Sequence, residues 1–328
     1  MTLATGVGSF PGTDPDEAVR IVVGELPELP HLPELPARGA TASMTGRALA
    51  VVAELGADIQ PAGWRLTGGG PGLDQRRARS QLGQDLDMLE EALEGFTGHL
   101  KVQVTGPWTL AATVERPRGD KVLADHGNRR ELAQALAEGV RDHLADVRRR
   151  VPGAGPLLLQ VDEPGLGAVL RAEVPTASGF GRHRSVDRPE LSEHLEWLFA
   201  AATESGAEPW AHSCAAGTPL DLLRGAGARG LSVDTSVLVS ADHDVLGGAL
   251  EAGEGVALGL VPSVDPATAP TAQQLTDQVL GWLDRLGLDP DAVGQRLLVT
   301  PACGLAGASP AWARRALSLC REVAANLT

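Results

Sequence analysis

The sequence predicts an α/β protein of the (β/α)8 TIM-barrel type, on three observations. Short apolar runs alternate with longer amphipathic stretches along the chain; eight such runs can be placed; and several are apolar on both faces, as parallel strands covered by helices are. A doubly wound open sheet is the rival, but no G-x-G-x-x-G opens a helix after the first strand. With 328 residues the chain is long enough for a large core, and residues 1–328 are read as a single barrel domain.

Strands are expected at 3–9, 57–66, 99–106, 156–162, 208–213, 230–234, 255–261 and 296–300. The second is interrupted by Pro61 and Gly63. Between the strands, Leu82, Leu86, Leu89 and Leu93 recur at helical spacing. So do Leu132, Leu136, Val140 and Leu144, and later Leu275, Val279, Trp282 and Leu286. Further helices are expected near 15–26, 43–54, 188–205, 218–226, 240–251 and 309–326, the last taking Cys320 into its packed face. The segment "ELPELPHLPELPARG" (25–39) carries proline at every third position or so, which forces extended backbone, and is read as a strap over one end of the barrel. The glycine-rich stretch 63–72 lacks the Lys-Ser/Thr of a phosphate loop and is read as a turn.

Composition bounds the partners. A formal net charge of −14 argues against a nucleic-acid groove or an anionic membrane surface. No apolar run reaches the ~18–20 residues of a membrane span, and the opening residues lack the pattern of a secretion signal. Three scattered cysteines, Cys214, Cys303 and Cys320, do not make a secreted disulfide framework, so a reduced, cytoplasmic setting is expected.

In a barrel of this type ligands bind at the carboxyl ends of the strands. Ser9, Asp162, Glu163, His212, Cys214 and Asp234 fall at such ends, and Cys303 follows the last strand. Singly, each reads as packing or capping. Together, His212, Cys214, Asp234 and Cys303 supply the nitrogen, thiolate and carboxylate donors of a four-ligand zinc site. Residues two apart on a strand share a face, so His212 and Cys214 can both reach the axis. Asp162 suits a substrate ammonium, with a buried salt link as the structural alternative. Glu163 joins it at the mouth if the chain turns at Pro164. Lys101 and Gln103 fill an inner layer or contact ligand.

With these residues assembled, the sequence resembles the catalytic half of the cobalamin-independent methionine synthases. The resemblance runs in order through "GSFP" (8–11), "KVQVTGPWT" (101–109), "LLLQVDEPGL" (157–166), "AHSC" (211–214), "LSVDTS" (231–236) and "TPACGL" (301–305). It implies a zinc-dependent methyl transfer to the thiol of homocysteine, giving methionine. Zinc would be held by His212, Cys214 and Cys303, with Asp234 where the family has glutamate, and the amino acid by Ser9 and Asp162. The methyl donor is expected to be methyl-folate or a methyl-corrinoid, the latter on a carrier protein. Members with a second, amino-terminal barrel are longer, so a short single-barrel relative is expected. The donor half departs from the family pattern. Thr113 stands where an aromatic residue would pack on the folate, with Trp108 nearby as a substitute. "GLVPSVDPA" (259–267) has no histidine to protonate the leaving donor, so Asp265 is the expected acid. The family's glutamate near strand two has no match in 57–69. Two other readings stay open: a non-catalytic zinc- or amino-acid-binding homologue, and a metal-free barrel that decarboxylates a porphyrin acid.

Overall fold

The computed structural model describes residues 2–294 and 296–327. In chain order the strands are β1 (Leu3–Ala4), β2 (Ala57–Gln60), β3 (Gly63–Leu66), β4 (Leu100–Thr105), β5 (Leu157–Asp162), β6 (Ala207–Ser213), β7 (Gly230–Asp234), β8 (Gly255–Val261) and β9 (Leu297–Pro301). The helices are α1 (Pro15–Glu25), α2 (Met44–Val51), α3 (Leu73–Ala92), α4 (Pro107–Thr113), α5 (His126–Arg150), α6 (Leu166–Leu170), α7 (Arg188–Glu204), α8 (Leu220–Gly225), α9 (Ser240–Glu251), α10 (Ala272–Leu286), α11 (Pro290–Val293) and α12 (Pro310–Asn326). Seven strands form one curled parallel sheet in the order β1-β9-β8-β7-β6-β5-β4, with helices between consecutive strands from β4 onward.

The expected strand at 57–66 is instead the antiparallel hairpin β2–β3, outside the main sheet. Pro61 supplies no backbone donor, and Gly63 takes a φ of 124° that reverses the chain. The leucine-proline segment lies in its place along the sheet. Leu32 N donates to Lys101 O (3.1 Å) and Lys101 N to Pro30 O (3.0 Å), along the free edge of β4. Glu34 N donates to Gly8 O (3.0 Å) and Phe10 N to Glu34 O (2.8 Å), beside the residues that follow β1. Proline recurs at 27, 30, 33 and 36, and the leucine before each one is buried: Leu26, Leu29, Leu32 and Leu35. A three-residue repeat suits an extended, proline-set backbone.

The main core lies between the sheet and the helices, and includes Cys320 on α12 as expected. A second, smaller cluster fills the concave side of the sheet: Leu29, Leu158, Trp210, Ala257 and Leu298. Trp210 spreads over Gly230 and Gly255, where any Cβ would collide with its ring. Above this apolar floor the same inward-facing positions turn polar. Leu158, Gln160 and Asp162 alternate up β5, and Trp210 and His212 up β6, beside Lys101 and Gln103 on β4. The alternation puts a polar layer at the carboxyl ends of the strands.

Candidate functional site

His212, at the end of β6, is buried, and its Nδ1 lies 3.0 Å from Ser232 Oγ on β7. That bond fixes the ring and leaves Nε2 as the second nitrogen. Burial, and then the Lys101 charge, pull its pKa down to about 3, so the ring is neutral at ordinary pH and can act as a ligand. The ligand atoms of His212, Cys214 and Cys303 all lie within 4.8 Å of one another. Cys214 and Cys303 are joined as a disulfide, with Cα atoms 5.8 Å apart and 89 residues between them in sequence. One imidazole and two sulfurs converging on one point is a donor set that fits zinc once the pair is reduced, and three protein ligands leave a coordination position open.

Asp234 does not join this group. It is half-buried at the end of β7, and its Oδ1 accepts from Ser236 N (2.8 Å) and Ser236 Oγ (2.7 Å). A short carboxylate at the start of a tight turn finds local donors first.

Beside the metal group lies a cluster of buried polar side chains. Asp162 is the register partner of His212 on the neighbouring strand. It accepts from Gln160 Nε2 (2.7 Å), and Gln160 Nε2 also donates to Val7 O. Lys101 Nζ donates to Val7 O (2.8 Å) and Gln160 Oε1 (2.9 Å). Burial, reinforced by the nearby Glu34 charge, pushes the Asp162 carboxyl well up, while burial pulls Lys101 down against the attraction of Asp162 and Glu34. Ser9 sits on the same rim. Its backbone oxygen accepts from Leu305 N (2.7 Å), and a Cβ on Gly304 would overlap its Oγ, so Ser9 and the Cys303 loop are in direct contact.

Glu34 was not among the expected site residues. It is buried, and its Oε1 receives Gln103 Nε2 at 3.1 Å. Its signal in the sequence was an acid set between leucines and prolines, in a segment read only as a strap.

Three expected residues are used for other things. Glu163 is fully buried and accepts from Trp108 N (2.9 Å), Thr109 N (2.8 Å) and Thr109 Oγ1 (2.7 Å), so it caps α4 instead of meeting substrate. Burial raises its pKa to about 7 against those bonds. Trp108 turns away from the mouth: its ring is fully buried, stacks on His194 at 4.8 Å, and donates Nε1–H to Leu191 O. Asp265 is exposed, and both of its oxygens are taken by Ser309, through N (2.7 Å) and Oγ (2.6 Å), which ties the loop after β8 to the start of α12.

The sequence profile of one family, described as the catalytic domain of the cobalamin-independent synthases, matches residues 88–326. No curated protein matches the chain. Among solved structures, a B12-independent methionine synthase from Shewanella sp. W3-18-1, in complex with selenomethionine, is 14% identical with a TM-score of 0.63, over 98% of this chain and 96% of that one. At that identity the likeness speaks for the fold. A GH20 β-N-acetylhexosaminidase from Streptomyces coelicolor A3(2) is 11% identical with a TM-score of 0.47, over 98% of this chain and 63% of that one. A GH5_18 protein from Streptomyces cattleya is 14% identical with a TM-score of 0.44, over 99% and 79%. These last two carry no argument about function.

Proposed function

The chain belongs to the cobalamin-independent methionine synthase family, a family of methyltransferases, and from that premise we propose that it transfers a methyl group to homocysteine at a zinc held by His212, Cys214 and Cys303. The convergence of those three side chains beside Asp162 carries the reading. Zinc, when bound, lowers the pKa of a coordinated thiol and so supplies a thiolate at neutral pH. Asp234, on the adjacent strand end, is the proposed oxygen donor of the set and the more weakly held one, since its carboxylate already has Ser236 as a partner.

The chain's own residues set the orientation of the amino acid. Asp162 and Glu34 are two acids facing one buried lysine, and the upward push on Asp162 marks an acid pair short of positive charge. A substrate ammonium supplies it. Ser9, against the Cys303 loop, lies between that end of the substrate and the thiol end. The leaving donor takes up a proton, and Asp265, held on both oxygens by Ser309, is not assigned to give it. Methyl-folate is the donor the family implies, and nothing observed favours a corrinoid carrier.

We read the seven-stranded sheet, with the leucine-proline strap bonded to both of its edges, as one (β/α)8 barrel spanning the chain as a single domain. Thiolate ligands need reducing surroundings, which supports a cytoplasmic setting. Among the described residues no helix is long and apolar enough to cross a membrane. The test is turnover by reduced, zinc-loaded protein given homocysteine with methyl-folate, and separately with a methyl-corrinoid. Methionine is expected with methyl-folate. No methionine from either donor, with zinc bound, overturns the reading.

A further inference from the structure

A buried ionic cluster lies beyond the polar side chains around Asp162. Asp85 on α3 is 1% exposed and sits between two guanidinium groups. Arg38 grips it with both ends of its fork, Nη1 to Oδ1 at 2.7 Å and Nη2 to Oδ2 at 2.6 Å. Arg47 on α2 reaches the same Oδ2 with Nη1 at 2.6 Å. The other side of the Arg47 guanidinium, Nε, stands 3.3 Å from Glu34 Oε1. From Glu34 the chain of contacts passes to Gln103 Nε2 and so into the polar layer beside Asp162.

We propose that Arg47, held in place by Asp85, positions the Glu34 carboxylate for the ammonium of the substrate, so that Arg47 and Asp85 are positioning residues for this enzyme. The proposal rests on the reading of the mouth as an amino-acid thiol site. Glu34 is carried by a strap outside the regular strands, held by its buried leucines and a few backbone bonds, and neither of these fixes the direction of its carboxylate. Helices α2 and α3 supply the side chains that do. Gln103 donates a hydrogen bond to Oε1 and Arg47 Nε, which makes no hydrogen bond among the described residues, pairs with the same oxygen by charge, leaving Oε2 free of both for a cation. As a stability device the arrangement is poor, because a buried ion pair gains little over well-packed apolar residues. As a way of fixing one oxygen it is good, because a planar guanidinium bound at one edge to Asp85 cannot turn its other edge freely.

The experiment is a double-mutant cycle on reduced, zinc-loaded protein, reading homocysteine affinity by calorimetry alongside KM, kcat and zinc content. Arg47→Met and Glu34→Gln are each expected to weaken homocysteine binding by about tenfold or more. The double variant is expected to bind no more weakly than Glu34→Gln alone, because Arg47 acts through Glu34. Arg47→Met is expected to raise KM with kcat and zinc content kept. Arg47→Lys, which retains the charge and safeguards the test if the methionine variant folds poorly, is expected to recover part of the affinity. The probe 4-sulfanylbutanoate, homocysteine without its amine, should bind wild type and Arg47→Met alike. Additive losses in the double variant, or an equal loss for the amine-free probe, overturn the positioning role alone. Wild-type protein that binds zinc but no homocysteine overturns the reading of the site, and the proposal with it.

Discussion

Each side chain at the mouth is decided by what competes for it. Cys214 and Cys303 have no neighbour closer in kind than each other and His212, so removing either sulfur should remove the metal. Reduced wild-type protein is expected to hold about one zinc per chain by elemental analysis, and Cys214→Ser or Cys303→Ser well under half of that, since a catalytic site with a ligand gone lacks the donors zinc needs. Asp234→Ala should keep the zinc but release it faster to a chelator. Release no faster than wild type would show that Asp234 is not a ligand. Glu163 gives the opposite case. Glu163→Ala strands three buried donors, so it should cost about 2–4 kcal/mol in denaturant unfolding while leaving zinc binding intact. The gathering of polar side chains at strand ends was legible in the sequence because strand period and residue type agree there, as they do for His212, Cys214 and Asp162. Glu163, Trp108 and Asp265 were misread because sequence gives their place along the chain, while a buried helix start, a histidine ring and a serine across a loop claimed them in space.

Among the elements, helices with strong periodicity stand close to where the sequence put them, as in α3, α5, α10 and α12. The error was the second strand. Apolar alternation over 57–66 is equally true of a hairpin, and nothing local says which sheet a strand joins. The proline segment was hard to read for the converse reason: it makes sheet-like bonds along its middle, between Glu28 and Glu34, with a sequence that rejects regular strand pairing. Its hold on the fold comes from its leucines. Leu32→Ala should therefore destabilise by about 2–5 kcal/mol, a loss measured from the denaturant midpoint. If it costs under 1 kcal/mol, the strap is held by its backbone bonds instead.

At the scale of the whole molecule, buried histidines set how the fold responds to acid. His143 on α5 and His194 on α7 are both pulled down to about 4 by burial. Unfolded, each takes up a proton near its ordinary value of 6.5, whereas the folded chain refuses it until about 4. The contribution of these two histidines to stability should thus fall as pH drops through that interval and be constant above it, while the raised carboxyls of Asp162 and Glu163 act in the opposite sense. His194 stacks between Trp108 and Trp197, and neither of its ring nitrogens has a hydrogen-bond partner among the described residues. His194→Phe keeps the stack, so denaturant midpoints should match wild type at pH 7 and decline less steeply below pH 6. An unchanged acid slope would show that His194 is not among the groups that titrate on unfolding. The strap has a further consequence for the chain in concentrated solution. A bare margin of β4 would offer its amides and carbonyls to any neighbouring molecule, and residues 30–32 occupy them first. Excising those few residues would turn a self-contained protein into one that recruits copies of itself, visible as light scattering long before any helix melts.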